Sequence, residues 1–223
     1  MDPGEKRLLQ MGGLGGILAG LIAIALVPLY LVAPGFPTTQ ETIVRLGTSG
    51  EDRALFIVVE FLPFLLVLLI IPLFLALYRI LREANLGYAL FGSVLGVVGS
   101  SIISVGYATA AITGLRLAEQ YAGASATEKE TLLLLAHLFD GILTGGVHVP
   151  RFILFGVALL ALGAAMRRGG PLPKTYGNLS VVLGAIILIG ATLGPIGALG
   201  TDVLPIIWFI LIGLKVYRLS GAT

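Results

Sequence analysis

The chain has no cysteine, two histidines and little charge: 14 Lys and Arg and 12 Asp and Glu among 223 residues. Without cysteine there is no disulfide, no thiolate metal site and no iron–sulfur cluster. Two histidines cannot ligate a pair of bis-histidine haems or supply the histidine-rich boxes of membrane di-iron enzymes. Charged residues make up 12%, where a soluble domain has about 25%. So few charges cannot cover a water-facing surface of this size, which excludes a soluble globular protein. With 57% hydrophobic residues, the chain is also too apolar to be disordered. No phosphate loop, dinucleotide fingerprint or HExxH motif is present.

What the sequence has is apolar length, with a mean hydropathy of +1.02. A membrane helix needs about 20 apolar residues. The runs predict an all-α, polytopic membrane bundle of six spans, at 8–32, 54–80, 86–115, 146–167, 178–199 and 203–217. A short outer helix over 126–144 is expected to lie on, or dip into, the outer leaflet, because Gly145, Gly146 and Pro150 interrupt the run. The loop 33–53, with Pro34, Gly35, Pro37 and Gly50, is expected to be irregular. Pro63, Pro72 and Pro195 are expected to kink their helices.

Charge selects six spans over seven, because cytoplasmic loops collect Lys and Arg. With the N-terminus inside, nine basic residues fall on the inner side: Lys6, Arg7, Arg79, Arg82, Arg167, Arg168, Lys174, Lys215 and Arg218. The other five fall outside, with nine of the twelve acids. Both termini are then cytoplasmic, in a bacterial or archaeal inner membrane. The basic residues mark topology and imply no nucleic acid. Arg79 and Glu83, four apart, read as a solvated face.

Glycine is abundant, at 31 residues, and regularly spaced. Gly12, Gly16 and Gly20 form one stripe, Gly92, Gly96, Ser100 and Ser104 a second, and Gly190 and Gly194 a third. Small residues four apart let helix backbones approach closely. Such stripes serve packing within the bundle or association with a second copy or other membrane subunits.

Ionisable groups inside a membrane are costly, which marks them for pairing or function. Glu60 lies early in span two. His137, Asp140, Thr144, His148 and Arg151 follow offsets that share one face of an unbroken helix. Tyr107 and Arg116 lie at the outer end of span three, near the serine stripe of Ser93, Ser100 and Ser104. Glu60, Tyr107, His137, Asp140, His148 and Arg151 are the candidate ligand-binding residues, with Arg151 expected to pair with Glu60. A zinc site needs three protein ligands, for which His137, Asp140, His148 and Glu60 are the candidates. The GTSG run at 47–50 resembles the nucleophile signature of rhomboid proteases, but it falls in an outer loop with no suitably placed histidine after it.

The layout as a whole resembles the small bacterial six-span proteins of domain-of-unknown-function family 4386. The resemblance is carried by Glu60 early in span two, the LYRILREANLGYAL turn and the His137–Asp140 pair before a glycine break. The basic MRRGGPLPKTYGNLSVVLG turn and the final PIIWFILIGLKVYR span complete it. Span three departs, with GSVLGVVGSS where charged residues are expected. The resemblance implies a six-span architecture and no assigned activity.

The residues favour a non-catalytic membrane subunit or small-ligand binder with an outward-facing polar pocket and no cofactor. A small secondary transporter or channel and a metal-dependent membrane hydrolase are the alternatives.

Overall fold

The structure, a computed structural model, describes residues 2–192 and 195–221, with the backbone alone over 195–204. Every regular element among them is helical: α1 (Pro3–Val32), α2 (Gln40–Thr48), α3 (Gly50–Leu81), α4 (Leu86–Gly123), α5 (Ala126–Ile142), α6 (Val149–Arg168), α7 (Lys174–Gly190) and α8 (Pro195–Gly221). A π-helical turn over Leu143–His148 joins α5 to α6. The stretches Pro3–Val32, Gly50–Leu81, Leu86–Gly123 and Ala126–Arg168 are long and apolar enough to cross a membrane, and α7 is a shorter apolar helix. This is a membrane protein by length and composition: a helix satisfies its own backbone groups where lipid cannot.

Three expectations are corrected. The loop 33–53 is not irregular throughout, because Thr39 caps α2 by accepting the Thr42 N–H at 3.1 Å. Ile43 and Leu46 of α2 are buried against Phe56, Leu117 and Tyr121. The glycine break after the outer helix does not occur, so α5, the π-helical turn and α6 form one continuous helix. The fifth helix ends at Gly190 and the last begins at Pro195, several residues earlier than expected. Proline suits the first turn of a helix, where its missing N–H costs nothing, so Pro195 starts α8 instead of kinking a longer α7. Gly194 lies outside the described residues. α3 runs through Pro63 and Pro72 without ending.

The long helices pack in the order α8, α1, α3, α4, α6, α7, and α7 closes the circuit against α8. The glycine stripes make these seams. A Cβ on Gly12 would meet the Cβ of Ala76 at 2.5 Å, and one on Gly96 would meet the Phe74 ring at 2.4 Å. Both stripes therefore pack inside the chain, the first of the two uses their spacing allowed. The α6–α7 seam is closer still. A Cβ on Gly163 would lie 2.7 Å from the Gly177 carbonyl oxygen, and one on Gly184 would lie 2.7 Å from that of Gly156. Glycine at intervals of seven in both helices brings the two backbones together twice along one seam.

Phe74, Phe155, Trp208 and Phe209 fill the centre with ring centroids 5.6–6.5 Å apart. The buried Trp208 Nε1–H donates to Ser180 Oγ at 2.7 Å, and Ser180 donates to the Tyr176 carbonyl at 2.8 Å. No polar atom of the indole is left unsatisfied.

The ends are tied by charge. At the end where α1 begins, Arg79 donates through Nε to Glu5 at 2.6 Å and through Nη1 to Glu83 at 3.3 Å, so it clamps α1 to α3 and is not simply a solvated face. Arg168 lies 4.7 Å over the Tyr88 ring, linking α6 to α4. At the opposite end Arg45 makes a two-point contact with Asp52, at 3.1 and 2.7 Å. Arg53 pairs with Glu119.

Replacing Gly184 by Leu should overpack the α6–α7 seam and cost about 1–3 kcal/mol. Gly141→Leu should be near neutral, because nothing lies within 4 Å of its added Cβ. Thermal unfolding in detergent checks the pair; equal loss from both substitutions contradicts the glycine seam.

Candidate functional site

The site begins with a backbone problem. In an α-helix the N–H of residue 150 would bond the carbonyl of Gly146, but Pro150 has no N–H and its ring crowds that carbonyl. In water the helix could end here, with solvent taking the orphaned groups. This helix widens instead: the Val149 N–H bonds the Thr144 carbonyl, five residues back. Gly145 and Gly146 lie within the wider turn, which adds one residue to the helix.

That added residue turns α5 by about 100° relative to α6. On an unbroken α-helix His137, Asp140, Thr144, His148 and Arg151 would share one face. Here the seam against α4 runs from Leu154 and Val147 to Phe139 and Leu135. The upper half of the polar stripe has rotated away from it. His137 and Thr144 are exposed and Asp140 is half-buried. Phe139 is held at the seam and stacks on Phe36 with centroids 5.7 Å apart.

The lower half of the stripe stays with α6 and meets α4. Arg151 Nη1 donates to the Tyr107 hydroxyl at 3.4 Å. The His148 ring stands edge-on to the Tyr107 ring with centroids 5.8 Å apart. The Arg151 guanidinium also lies 4.6 Å over the Phe152 ring. All three polar residues are half-buried. Three of the six candidates therefore converge.

Glu60 is half-buried on the face of α3 that carries Phe56, Pro63 and Phe74. Phe56 faces Gly114 and Phe74 faces Gly96, so the antiparallel register sets Glu60 about level with Ala110, one turn from Tyr107. Among the described ion pairs there is none between Arg151 and Glu60, the pairing expected from the sequence; Arg151 Nη1 bonds Tyr107. Among the described residues no three His, Asp or Glu side chains come together to hold a metal ion. The zinc candidates are thus separated: His137 stands about 16 Å along the helix from His148, and the π-helical turn puts His137 and Asp140 on another face.

The serines of α4 bond their own helix and form no continuous path. Ser100 donates to the Gly96 carbonyl at 2.7 Å, and Ser104 donates to the Ser100 carbonyl at 3.0 Å. Ser93 Oγ is buried without a partner among the described residues. Ser49, the serine of the GTSG run, caps α3 by accepting the Asp52 N–H at 3.1 Å.

Two adjoining grooves lie between α4 and α5, of about 360 and 260 Å³, and their walls are apolar. Neither includes any of the six candidates. The Gly156, Gly163, Gly177 and Gly184 seam and the Trp208–Ser180 bond were missed from sequence. The sevenfold glycine spacing in two helices was the available signal for the seam; the bond had none.

Double-mutant cycles test the cluster. Tyr107→Phe and Arg151→Leu should couple by about 0.5–1.5 kcal/mol in thermal unfolding, whereas Glu60→Gln and Arg151→Leu should add. Strong coupling in the second cycle and none in the first would reverse the assignment.

The sequence profile of a family described as Domain of unknown function (DUF4386) matches residues 13–218, nearly the whole chain. No curated protein and no solved structure matches it.

Proposed function

The chain belongs to the DUF4386 family, and we propose that it is a multi-pass membrane protein that binds a small ligand in the outer half of the bilayer without catalysing a reaction. In this reading six segments cross the membrane: α1, α3, α4, α6, α7 and α8. Both termini are cytoplasmic, and the membrane is the inner, or plasma, membrane of a prokaryote. The sorting of nine basic residues to one side supports the orientation. The closed packing circuit of these same helices supports the span count.

The observation that carries the ligand proposal is the meeting of Tyr107, His148 and Arg151. Arg151 lies about 24 Å from Arg167 along α6, at 1.5 Å per residue, in a hydrocarbon layer about 30 Å thick. A guanidinium, a phenol and an imidazole gathered there suit a ligand bearing an acceptor group, such as a carboxylate or phosphate. Low dielectric strengthens such contacts. Glu60, one turn away along the α3–α4 seam, would set the charge limit on that ligand. His137 and Asp140 have no part in this narrower site.

Two measurements test the reading. Because the chain lacks cysteine, single cysteines report topology directly. Thr127→Cys should react with an impermeant maleimide on intact cells, and Thr175→Cys should react only after lysis; the opposite pattern, or equal labelling, would falsify the orientation. For the ligand, small carboxylates and phosphates are screened by thermal unfolding. At least one should stabilise the protein, by about 2.7 kcal/mol at 100 times its Kd, and this gain should vanish in Arg151→Gln. No stabilisation by any member, or the same gain in the variant, contradicts the site.

A further inference from the structure

We propose that the α4–α5 groove holds one acyl chain of an outer-leaflet phospholipid, with Arg116 at its mouth selecting an anionic headgroup. The two grooves share Phe139 and Ile142 and so form one channel. Along α4 it runs from Ile102 to Leu117, about 22 Å at 1.5 Å per residue, which suits an extended fatty chain. Thr109 and Thr113 are the only hydroxyl-bearing residues lining it. Thr109 donates to the Val105 carbonyl of its own helix at 2.6 Å, so it presents little polarity to the groove. Such walls suit a methylene chain and are a poor match for a polar solute.

The mouth identifies the headgroup. α4 residues 102, 105, 109, 113 and 116 fall on one face at helical spacing, so Arg116 continues the groove-lining face at its outer end. Arg116 is exposed, and among the described residues it makes no hydrogen bond or ion pair. Its charged neighbours are engaged elsewhere. Glu119 pairs with Arg53, Glu128 accepts from Ser125 at 2.7 Å, and Lys129 lies 5.3 Å over the Tyr121 ring. Gln120 follows one turn above on the same face and offers an amide. A long apolar slot ending in an uncompensated cation at the interface complements the two parts of an anionic lipid.

The proposal rests on the outward placement of the α4–α5 hairpin, which the Thr127 labelling tests separately, so the two fail distinguishably. Here the intact chain is equilibrated in mixed micelles with equal phosphatidylglycerol and phosphatidylcholine, and retained lipid is counted by native mass spectrometry. The wild type should keep one phosphatidylglycerol per chain, at least fivefold over phosphatidylcholine. Arg116→Gln should bring that ratio near one while retaining lipid. Thr109→Trp, which fills the groove, should lose both lipids. Equal retention of the two lipids by the wild type, or an unchanged ratio in Arg116→Gln, overturns the headgroup assignment. Unchanged retention in Thr109→Trp overturns the groove. Circular dichroism and monodispersity confirm folding of each variant, and if Thr109→Trp misfolds, the Arg116→Gln ratio alone decides.

Discussion

Inside hydrocarbon a backbone carbonyl has no water to turn to, and a helix that loses a donor must find another within itself. Gly146 loses its donor because Pro150 carries no N–H. At this point the helix widens into a π-helical turn, in which the Val149 N–H reaches back to the Thr144 carbonyl. That adjustment keeps the helix continuous from Ala126 to Arg168 and changes the face its upper half presents. Leu135 and Phe139 come to α4 in place of His137 and Asp140. The widened turn thus decides which face of α5 lies against α4. It also lays an apolar wall along α4, opposite the face that ends in Arg116.

The remainder of the bundle holds α4 and α6 firmly enough for this change of face to matter. Gly163 with Gly177, and Gly156 with Gly184, bring α6 and α7 to backbone contact. Gly92 and Gly96 seat Leu162 and Phe74 against α4. At the centre the Phe74, Phe155, Trp208 and Phe209 rings leave little room for a side chain to shift. Close packing replaces the hydrophobic drive that lipid does not provide. Against this frame α5 is a lighter element: of its residues only Ala136 is buried, and Leu134 and Leu138 are more than half exposed. A groove can open between α5 and α4 because so little closes it.

Much of the fold was legible in the sequence because hydropathy acts over 20 or more residues. The apolar runs ending near Val32, Ile80 and Met166 mark helices whose ends differ from the expected ones by a few positions. What was misread depends on single residues. Gly145, Gly146 and Pro150 look like a break to any rule drawn from water-soluble helices, whereas here the helix passes through them as a widened turn in which the Val149 N–H bonds the Thr144 carbonyl. The TTQETIVRL run carries a cap at Thr39 and an apolar pair at Ile43 and Leu46, but the surrounding prolines obscured it. For the candidate site, offsets along an ideal helix grouped His137, Asp140, His148 and Arg151. One extra residue in the turn separates the first two from the last two, and offset counting cannot register an inserted phase. The glycines of Gly12, Gly16 and Gly20 announced close approach without naming the partner, because a stripe looks the same whether it meets α3 or a second chain.

The most direct test asks which residue of α5 faces α4. In the cysteine-free chain, Thr113→Cys is paired with Phe139→Cys in one variant and with Asp140→Cys in another. Both are treated in membranes with a short bis-thiol crosslinker, and the rates of bridging are compared by mass spectrometry. With the π-helical turn in place, the Thr113 and Phe139 pair should bridge several-fold faster. Faster bridging of Thr113 with Asp140 would mean an uninterrupted α-helix with the whole polar stripe on one face, and would contradict the account.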